Sequence, residues 1–324
     1  MNHRSALFAA ATLILPWLSP LSADAADYPT KAVRIVVPFA PGGASDLLAR
    51  AIATPLSERL GQSVVVENRA GAGGTLGADL VAKAAADGHT LLLSDVAAYT
   101  ISPSLYPKLP YQASDLAPVI NLATFAHILI APPGSPFTSA ADVLASERQR
   151  PGGLSVASSG SGTSTHLTIE MLNSLAGTKL VHVPYKGGGA ALADIMGGQV
   201  PLMVIGAPPA MPLIRAGKLK ALAVTTAARM ASLPAVPTVA EAGLPRFESI
   251  AAQGVFAPAG TRRDIVARLN SEIARIISRP EVAERWTQLA GTPIDNSPDQ
   301  FAAWLKAESD KWGRIVRESG AKPD

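Results

Sequence analysis

Cysteine is absent from all 324 residues, and several kinds of chemistry go with it. There is no disulfide framework, no thiolate nucleophile, no thiolate metal site and no lipid attached through an N-terminal cysteine. Aromatic residues make up only 5% of the chain and charged residues 16%, while 48% is hydrophobic, a balance that excludes disorder and suits a compact α/β protein held by its apolar cores. The net charge of +3 is spread without a basic block. Nucleic acid is therefore not an expected partner, because its binders gather Lys and Arg on one face. Beyond the first residues no stretch approaches the roughly 20 apolar residues that a membrane span requires, so no direct membrane insertion is expected.

What is present at the N-terminus is a basic start at His3 and Arg4, an apolar run from Ala6 to Leu18, and small residues ending in Ala23-Asp24-Ala25. That is the layout of a cleaved secretory signal peptide covering residues 1–25. The expected mature chain starts near Ala26 and is exported to a bacterial periplasm, since secreted eukaryotic domains usually lean on disulfides. Its length of about 300 residues is twice that of a usual domain, which predicts two.

Short runs rich in Val, Ile and Leu alternate with helical patterns, the signature of parallel βαβ units and an α/β fold class. Buried strands are predicted at Val33 to Pro38, Val64 to Val66, Leu91 to Leu93, Ile128 to Ala131, Leu154 to Ala157, Val181 to Pro184, Leu202 to Ile205 and Ala221 to Thr225. Helices are predicted at Ser45 to Leu60, Thr163 to Leu175 and Ala190 to Met196. From Arg262 the pattern reads as all-helical, with Pro280 and Pro298 where helices can begin. Such helices need a sheet to pack on. The simplest arrangement returns the chain to the first lobe, with crossings near Phe125 to His127 and Ser249 to Gly254.

Three segments could carry chemistry. Val36 to Asp46 runs from a strand through Pro41-Gly42-Gly43 into a helix, where exposed N–H groups and the positive end of the helix dipole can hold an anion without a cationic side chain. Equally, Ser45 or Asp46 could simply cap the helix while the glycines make the turn. A second strand, loop and helix start follows at Leu154 to His166, with Ser158, Ser159, Gly160, Gly162, Thr163 and Thr165 offering hydroxyls and amides, or else forming a flexible linker. A third, His182 to Gly189, carries Tyr185 and Lys186 and precedes a helix holding Asp194. His166 and His182 have no partners at metal-ligand spacing and read as hydrogen-bonded residues, so neither a metal nor a cofactor is expected. Enzyme motifs fail: Gly71 to Gly77 misses the dinucleotide fingerprint by one residue, and neither a phosphate-binding loop nor a Gly-x-Ser-x-Gly elbow occurs.

Taken together the segments resemble one family. Val37-Pro38-Phe39 with Pro41-Gly42-Gly43 and Asp46, Val65-Val66-Glu67-Asn68-Arg69 with Gly71-Ala72-Gly73-Gly74, and Asp87-Gly88 before Thr90-Leu91-Leu92 open the series. Gly160-x-Gly162-Thr163, Val183-Pro184-Tyr185-Lys186-Gly187, Gly197-Gly198-Gln199-Val200, Val236-Pro237-Thr238 and Ala257-Pro258-Ala259-Gly260-Thr261 continue it. Over nearly the whole mature chain this resembles the substrate-binding proteins of tripartite tricarboxylate transporters, the TctC or Bug family.

The resemblance implies a type II periplasmic-binding-protein fold, with two lobes joined by hinge strands and a ligand cleft between them. Lobe 1 would comprise residues 26–125 and, after a mainly helical return, 251–324; lobe 2 would be residues 126–250. It further implies a monomeric, non-enzymatic solute-binding protein that captures a small carboxylate and hands it to membrane permease subunits. A sensor subunit serving a receptor kinase, or a hydrolase using the same cleft, are the rival functions. By matching position, Phe39, Ala40, Gly42, Gly43, Ala44, Ser45 and Asp46 should hold a ligand carboxylate. The loop from Ser158 to His166 should close on it, with Tyr185, Asp194 and Ala207 nearby. Two departures bear on specificity. Ala252 stands where the family usually has Trp, which predicts a missing aromatic contact, and Ser94-Asp95 follows the third strand. An Asp at a pocket rim would repel a carboxylate unless it binds an amine or hydroxyl; alternatively, Asp95 points to solvent or caps a helix.

Overall fold

The computed structural model describes residues 28–323; the expected signal segment lies outside the described residues. The chain runs β1 (Val33–Val37), α1 (Ala44–Leu60), β2 (Val64–Asn68), α2 (Thr75–Ala82), β3 (Thr90–Asp95), the short α3 (Ala97–Thr100) and α4 (Ser102–Leu105), and then the long β4 (Leu116–Ala131). It continues through α5 (Ala140–Gln149), β5 (Ser155–Ser158), α6 (Ser164–Ala176), β6 (Val181–Pro184), α7 (Gly188–Met196), β7 (Leu202–Gly206), α8 (Ala207–Arg215) and β8 (Lys220–Val224). The last part is β9 (Ile250–Pro258), α9 (Arg263–Ile277), α10 (Pro280–Gln288), β10 (Gly291–Pro293) and α11 (Pro298–Ser319).

Two sheets share β4. In the first, β2, β1 and β3 lie parallel, β9 pairs antiparallel between β3 and β4, and β10 closes on β4. In the second, β6, β5 and β7 lie parallel, and β7 and β8 pair antiparallel with β4. The change of sheet falls within β4: Ala126 is still paired with Ile250 of β9, whereas His127 is paired with Gly206 of β7. This mixed α/β, two-lobed fold is the predicted class. Its strands beside the crossovers are buried on both faces, which is why Ile35, Leu91, Leu93, Val156 and Val204 read as unbroken apolar runs.

The helices follow their sequence signals closely. α1 buries Leu48, Ala49, Ile52 and Leu56 and stops at Gly61, whose left-handed φ of 69° lets its N–H reach Ser57 O at 3.0 Å. α9 buries Ile265, Leu269, Ile273 and Ile276 and packs on α1 and β4. α11 begins with a reciprocal Ser297–Gln300 capping box and Pro298 in its first turn. Its Trp312 joins a cluster with Ile101, Leu105 and Leu167, tying the C-terminal helix to α6 of the other sheet.

Three readings of secondary structure need correction. β4 begins at Leu116, twelve residues before the predicted start at Ile128, because Pro118 and two register shifts obscure its alternation. β2 and β6, predicted as buried, are edge strands whose residues are half-buried or exposed, because only one side of each is covered by a neighbouring strand. The C-terminal part is not entirely helical, since β10 pairs with Ala123 to Phe125; three residues are too few for a period-two pattern to show.

Candidate functional site

The two sheets present the carboxyl ends of β1 and β5 to a common cavity, the position at which α/β sheets bind ligands. Four helices begin at its wall. Gly43, Ala44 and Ser45 open α1, Thr163, Ser164 and Thr165 open α6, Gly188 opens α7, and Gly206 precedes α8; all eight line the space. Gly43, Gly187 and Gly206 provide no side-chain cap to α1, α7 or α8. The first amides of α1 and α7 are thus left to whatever fills the cavity, each end carrying about half a positive charge; α8 offers fewer, because Pro208 and Pro209 in its first turn have no N–H. Glycine is required at these approaches: a Cβ at Gly189, beside the α7 start, would stand 2.2 Å from Pro41 O, and one at Gly206 would stand 2.5 Å from the Phe125 ring.

Phe39, Asp95, Phe125, His127, Ser159, Ala251 and Gln253 complete the wall. No lysine or arginine is among the lining residues. The cavity leaves ≈ 40 Å³ for the centres of water molecules, room for roughly three waters. It is closed because the lobes touch across the cleft. Ala40 N–H donates to Lys186 O at 2.8 Å, Tyr106 Oη to Ser161 O at 3.1 Å, and Ser164 Oγ to Asp95 Oδ2 at 2.5 Å.

Asp95 and His127 are the titratable groups of the wall. Burial pushes the Asp95 carboxyl up, a shift only partly offset by the Ser164 hydroxyl and the Ala97 N–H, which donates to Oδ1 at 2.9 Å. Burial pushes the His127 imidazole down to about 3, so the ring is neutral at pH 7. Its Nε2 lies 3.0 Å from Ser164 Oγ, and its Nδ1 lies 3.2 Å from Ser249 Oγ and 3.1 Å from Thr168 Oγ1. With the Ser164 hydroxyl donating to Asp95, its oxygen accepts from His127, so Nε2 carries the ring hydrogen and Nδ1 accepts from a hydroxyl. Opposite this chain, Ser45 Oγ donates to Gln253 Oε1 at 2.6 Å. The Gln253 amide nitrogen is then the donor that this side chain, only 2% exposed, offers the cavity.

Of the residues predicted for the site, Phe39, Gly43, Ala44, Ser45, Asp95, Ser159, Thr163 and Thr165 are brought together on the wall. The others brace it. Asp46 accepts from Gly42 N–H at 3.0 Å, from Arg50 and from Asn68 Nδ2 at 3.0 Å. Burial alone would raise its carboxyl, but these donors more than compensate and hold it below the usual range. Ala40 makes the interlobe bond already described, and Ser94 Oγ donates to Asp95 O at 2.9 Å. Ser158 Oγ contacts His182 Nε2 at 2.6 Å, while Gly162 N–H donates to His166 Nδ1 at 3.1 Å, with His166 stacked on His182 at 4.0 Å. Gly160 and Tyr185 line a groove at the cleft mouth, where Tyr185 Oη donates to Asp194 Oδ2 at 2.6 Å. Ala207 is buried in the core behind Gly206.

Sequence reasoning missed Phe125, His127, Ser164, Gly188, Gly206, Ala251 and Gln253 as wall residues. Ser164 and Gly188 lie inside segments it had marked, and His127 and Gln253 lie in the marked crossings. Phe125 and Ala251 lie in the same crossings, and nothing in the sequence singles out Gly206. Ala252, where the family's Trp was expected to contact ligand, packs with Val36, Val96 and Phe256 and is not a wall residue. Asp95 is neither solvent-facing nor merely a cap: it is 8% exposed and lines the cavity.

Residues 48–321 match the family described as "Tripartite tricarboxylate transporter family receptor". Protein BugT of Bordetella pertussis is 39% identical over 306 residues, covering 94% of this chain and 93% of its own. Among solved structures, R. palustris Rpa4515 with adipate aligns with a TM-score of 0.88 at 36% identity, covering 92% of this chain and 100% of that one. MatC from Rhodopseudomonas palustris with bound malate aligns with a TM-score of 0.85 at 35% identity, covering 89% and 100%. Among the described residues no helix is long and apolar enough to cross a membrane.

Proposed function

This chain belongs to the tripartite tricarboxylate transporter receptor family, the TctC/Bug solute-binding proteins, and on that premise we propose that it captures a small carboxylate between its lobes in the periplasm. The observation that carries this reading is the convergence of uncapped helix starts from both lobes on a cavity whose wall has no cationic side chain. Helix amides supply donors already fixed in place, so an anion is stabilised without ordering a long side chain. Adipate and malate in the related structures support a carboxylate as the ligand.

In this reading residues 26–125 and 251–324 form one lobe and residues 126–250 the other, and β4 and the Ser249–Ile250 junction flex between open and closed states. Only the closed state makes both sets of contacts, so ligand shifts the population toward it. The closed form is what membrane permease subunits would recognise. A hydrolase would use the hydrogen-bonded Ser164 and His127, yet His127 Nδ1 is held by hydroxyls rather than a carboxylate, and burial suppresses its protonation. That arrangement does not favour a general base.

The test is a thermal-shift screen of the mature protein against mono-, di- and tricarboxylates, amino acids and aromatic acids, followed by calorimetry and mass spectrometry. One compound bound per chain and recovered unchanged supports capture. A consumed compound would mean that the cleft is catalytic, and silence across the panel would overturn the carboxylate reading.

A further inference from the structure

Asp95 sits at the end of β3 in one lobe and accepts a hydrogen bond from Ser164 at the start of α6 in the other. A carboxylate of the protein itself thereby occupies the helix start at which the second lobe would otherwise meet a ligand anion. The anion capacity that remains belongs to α1 and α7, together with the Gln253 amide nitrogen, since Pro208 and Pro209 leave the start of α8 short of N–H donors. No cation offsets a further negative charge, because the wall has no Lys or Arg and His127 is neutral.

We infer that Asp95 takes the place of a second ligand carboxylate, so that the cavity selects a small monocarboxylate carrying a hydrogen-bond donor, above all an ammonium group. This rests on the carboxylate reading of the same site and narrows it. The ligand carboxylate meets the α1 amides and Gln253, while its donor meets Asp95. A carboxylate has about four acceptor positions, and Ala97 N–H, the Ser164 hydroxyl and the Ser164 N–H occupy three of them, which leaves one for the ligand donor. Burial already disfavours the Asp95 anion; an ammonium beside it favours the ionised form, whereas a dicarboxylate sets a second negative charge against it in a space cut off from water, where like charges repel strongly. Discrimination by an added repulsion is a common way of gaining specificity.

The experiment is isothermal titration calorimetry with two matched series: L-alanine, L-lactate, propionate and malonate; and 4-aminobutyrate, 4-hydroxybutyrate, butyrate and succinate. In at least one series the amine should bind best, the hydroxyl next, and the dicarboxylate at least tenfold more weakly than the amine. Asp95→Asn keeps the shape and removes the charge; the amine should lose at least tenfold and the dicarboxylate gain at least tenfold. The wild-type ranking tests the inference even if the variant does not fold. A wild-type protein that prefers malonate or succinate overturns it while leaving the carboxylate reading intact. An Asp95→Asn variant with the wild-type ranking also overturns it. Absence of binding by both series and by the wider carboxylate panel overturns both readings together.

Discussion

Gly73→Ala should cripple closure of the cleft without unfolding either lobe. A Cβ at Gly73 would lie 1.8 Å from the carbonyl oxygen of Ser161, which belongs to the loop ahead of α6 in the opposite lobe. An ordinary carbon-to-carbonyl contact is about 3.3 Å, so the two lobes must part by about 1.5 Å at that point. Both partners are backbone or bonded directly to it, so neither can swing aside as a flexible side chain would. Overpacking of this kind costs about 1–3 kcal/mol, equivalent to a loss of about 5- to 150-fold in ligand affinity. Gly73 also has a left-handed φ of 60°, and an alanine there adds about 1–2 kcal/mol of strain that open and closed states share. Gly61→Ala separates the two effects, because Gly61 has φ 69° and nothing within 4 Å of an added Cβ. It should lower stability as Gly73→Ala does while leaving affinity alone. Calorimetry with the carboxylate that most stabilises the wild-type protein, combined with small-angle scattering, reads both affinity and compaction. If Gly73→Ala bound and compacted as the wild type does, the Gly73–Ser161 contact would not limit closure.

Three further outcomes follow from the same geometry. Because burial lowers the His127 pKa to about 3, the unfolded chain takes up a proton below about pH 6.5 that the folded chain refuses. This stability contribution is present above that pH and lost as pH falls, at about 1.4 kcal/mol per unit. Urea unfolding at pH 7 and pH 5 should therefore show about 2 kcal/mol more loss in the wild type than in His127→Gln; equal losses refute the buried neutral ring. Asp46→Ala removes the acceptor of Gly42 N–H, Arg50 and Asn68, and the urea midpoint should report a loss of about 2 kcal/mol. Its carboxyl is held below the usual range, so this difference should shrink as acid protonates the wild-type group; a constant difference down to pH 3 would contradict the assignment. Gly206→Ala places a methyl 2.5 Å from the Phe125 ring at backbone angles open to any residue. Ligand affinity should fall about tenfold as Phe125 is displaced, and an unchanged dissociation constant would mean that this wall is not in contact with ligand.

The sequence by itself determined the elements whose signals are local. Apolar runs specified β1 and β7, since a strand buried on both faces tolerates few polar residues. Glycine and proline marked the ends and starts of α1, α10 and α11, because left-handed turns and first helical positions suit those residues alone. It also located the two loops that contribute to the cavity wall, Pro41 to Asp46 and Ser158 to His166, because a turn of small residues before a helix is a contiguous feature. Tertiary structure decided the rest. Nothing local reveals that β4 changes sheets between Ala126 and His127, as that depends on pairing with β9 and β7, both distant in the chain. Likewise Asp95, His127 and Ser164 are 32 or more residues apart in sequence, and only lobe contact makes them one hydrogen-bonded chain. The charge state of that chain is set by burial. Burial is a property of the assembled fold, and so the ligand chemistry of this site is written in three dimensions.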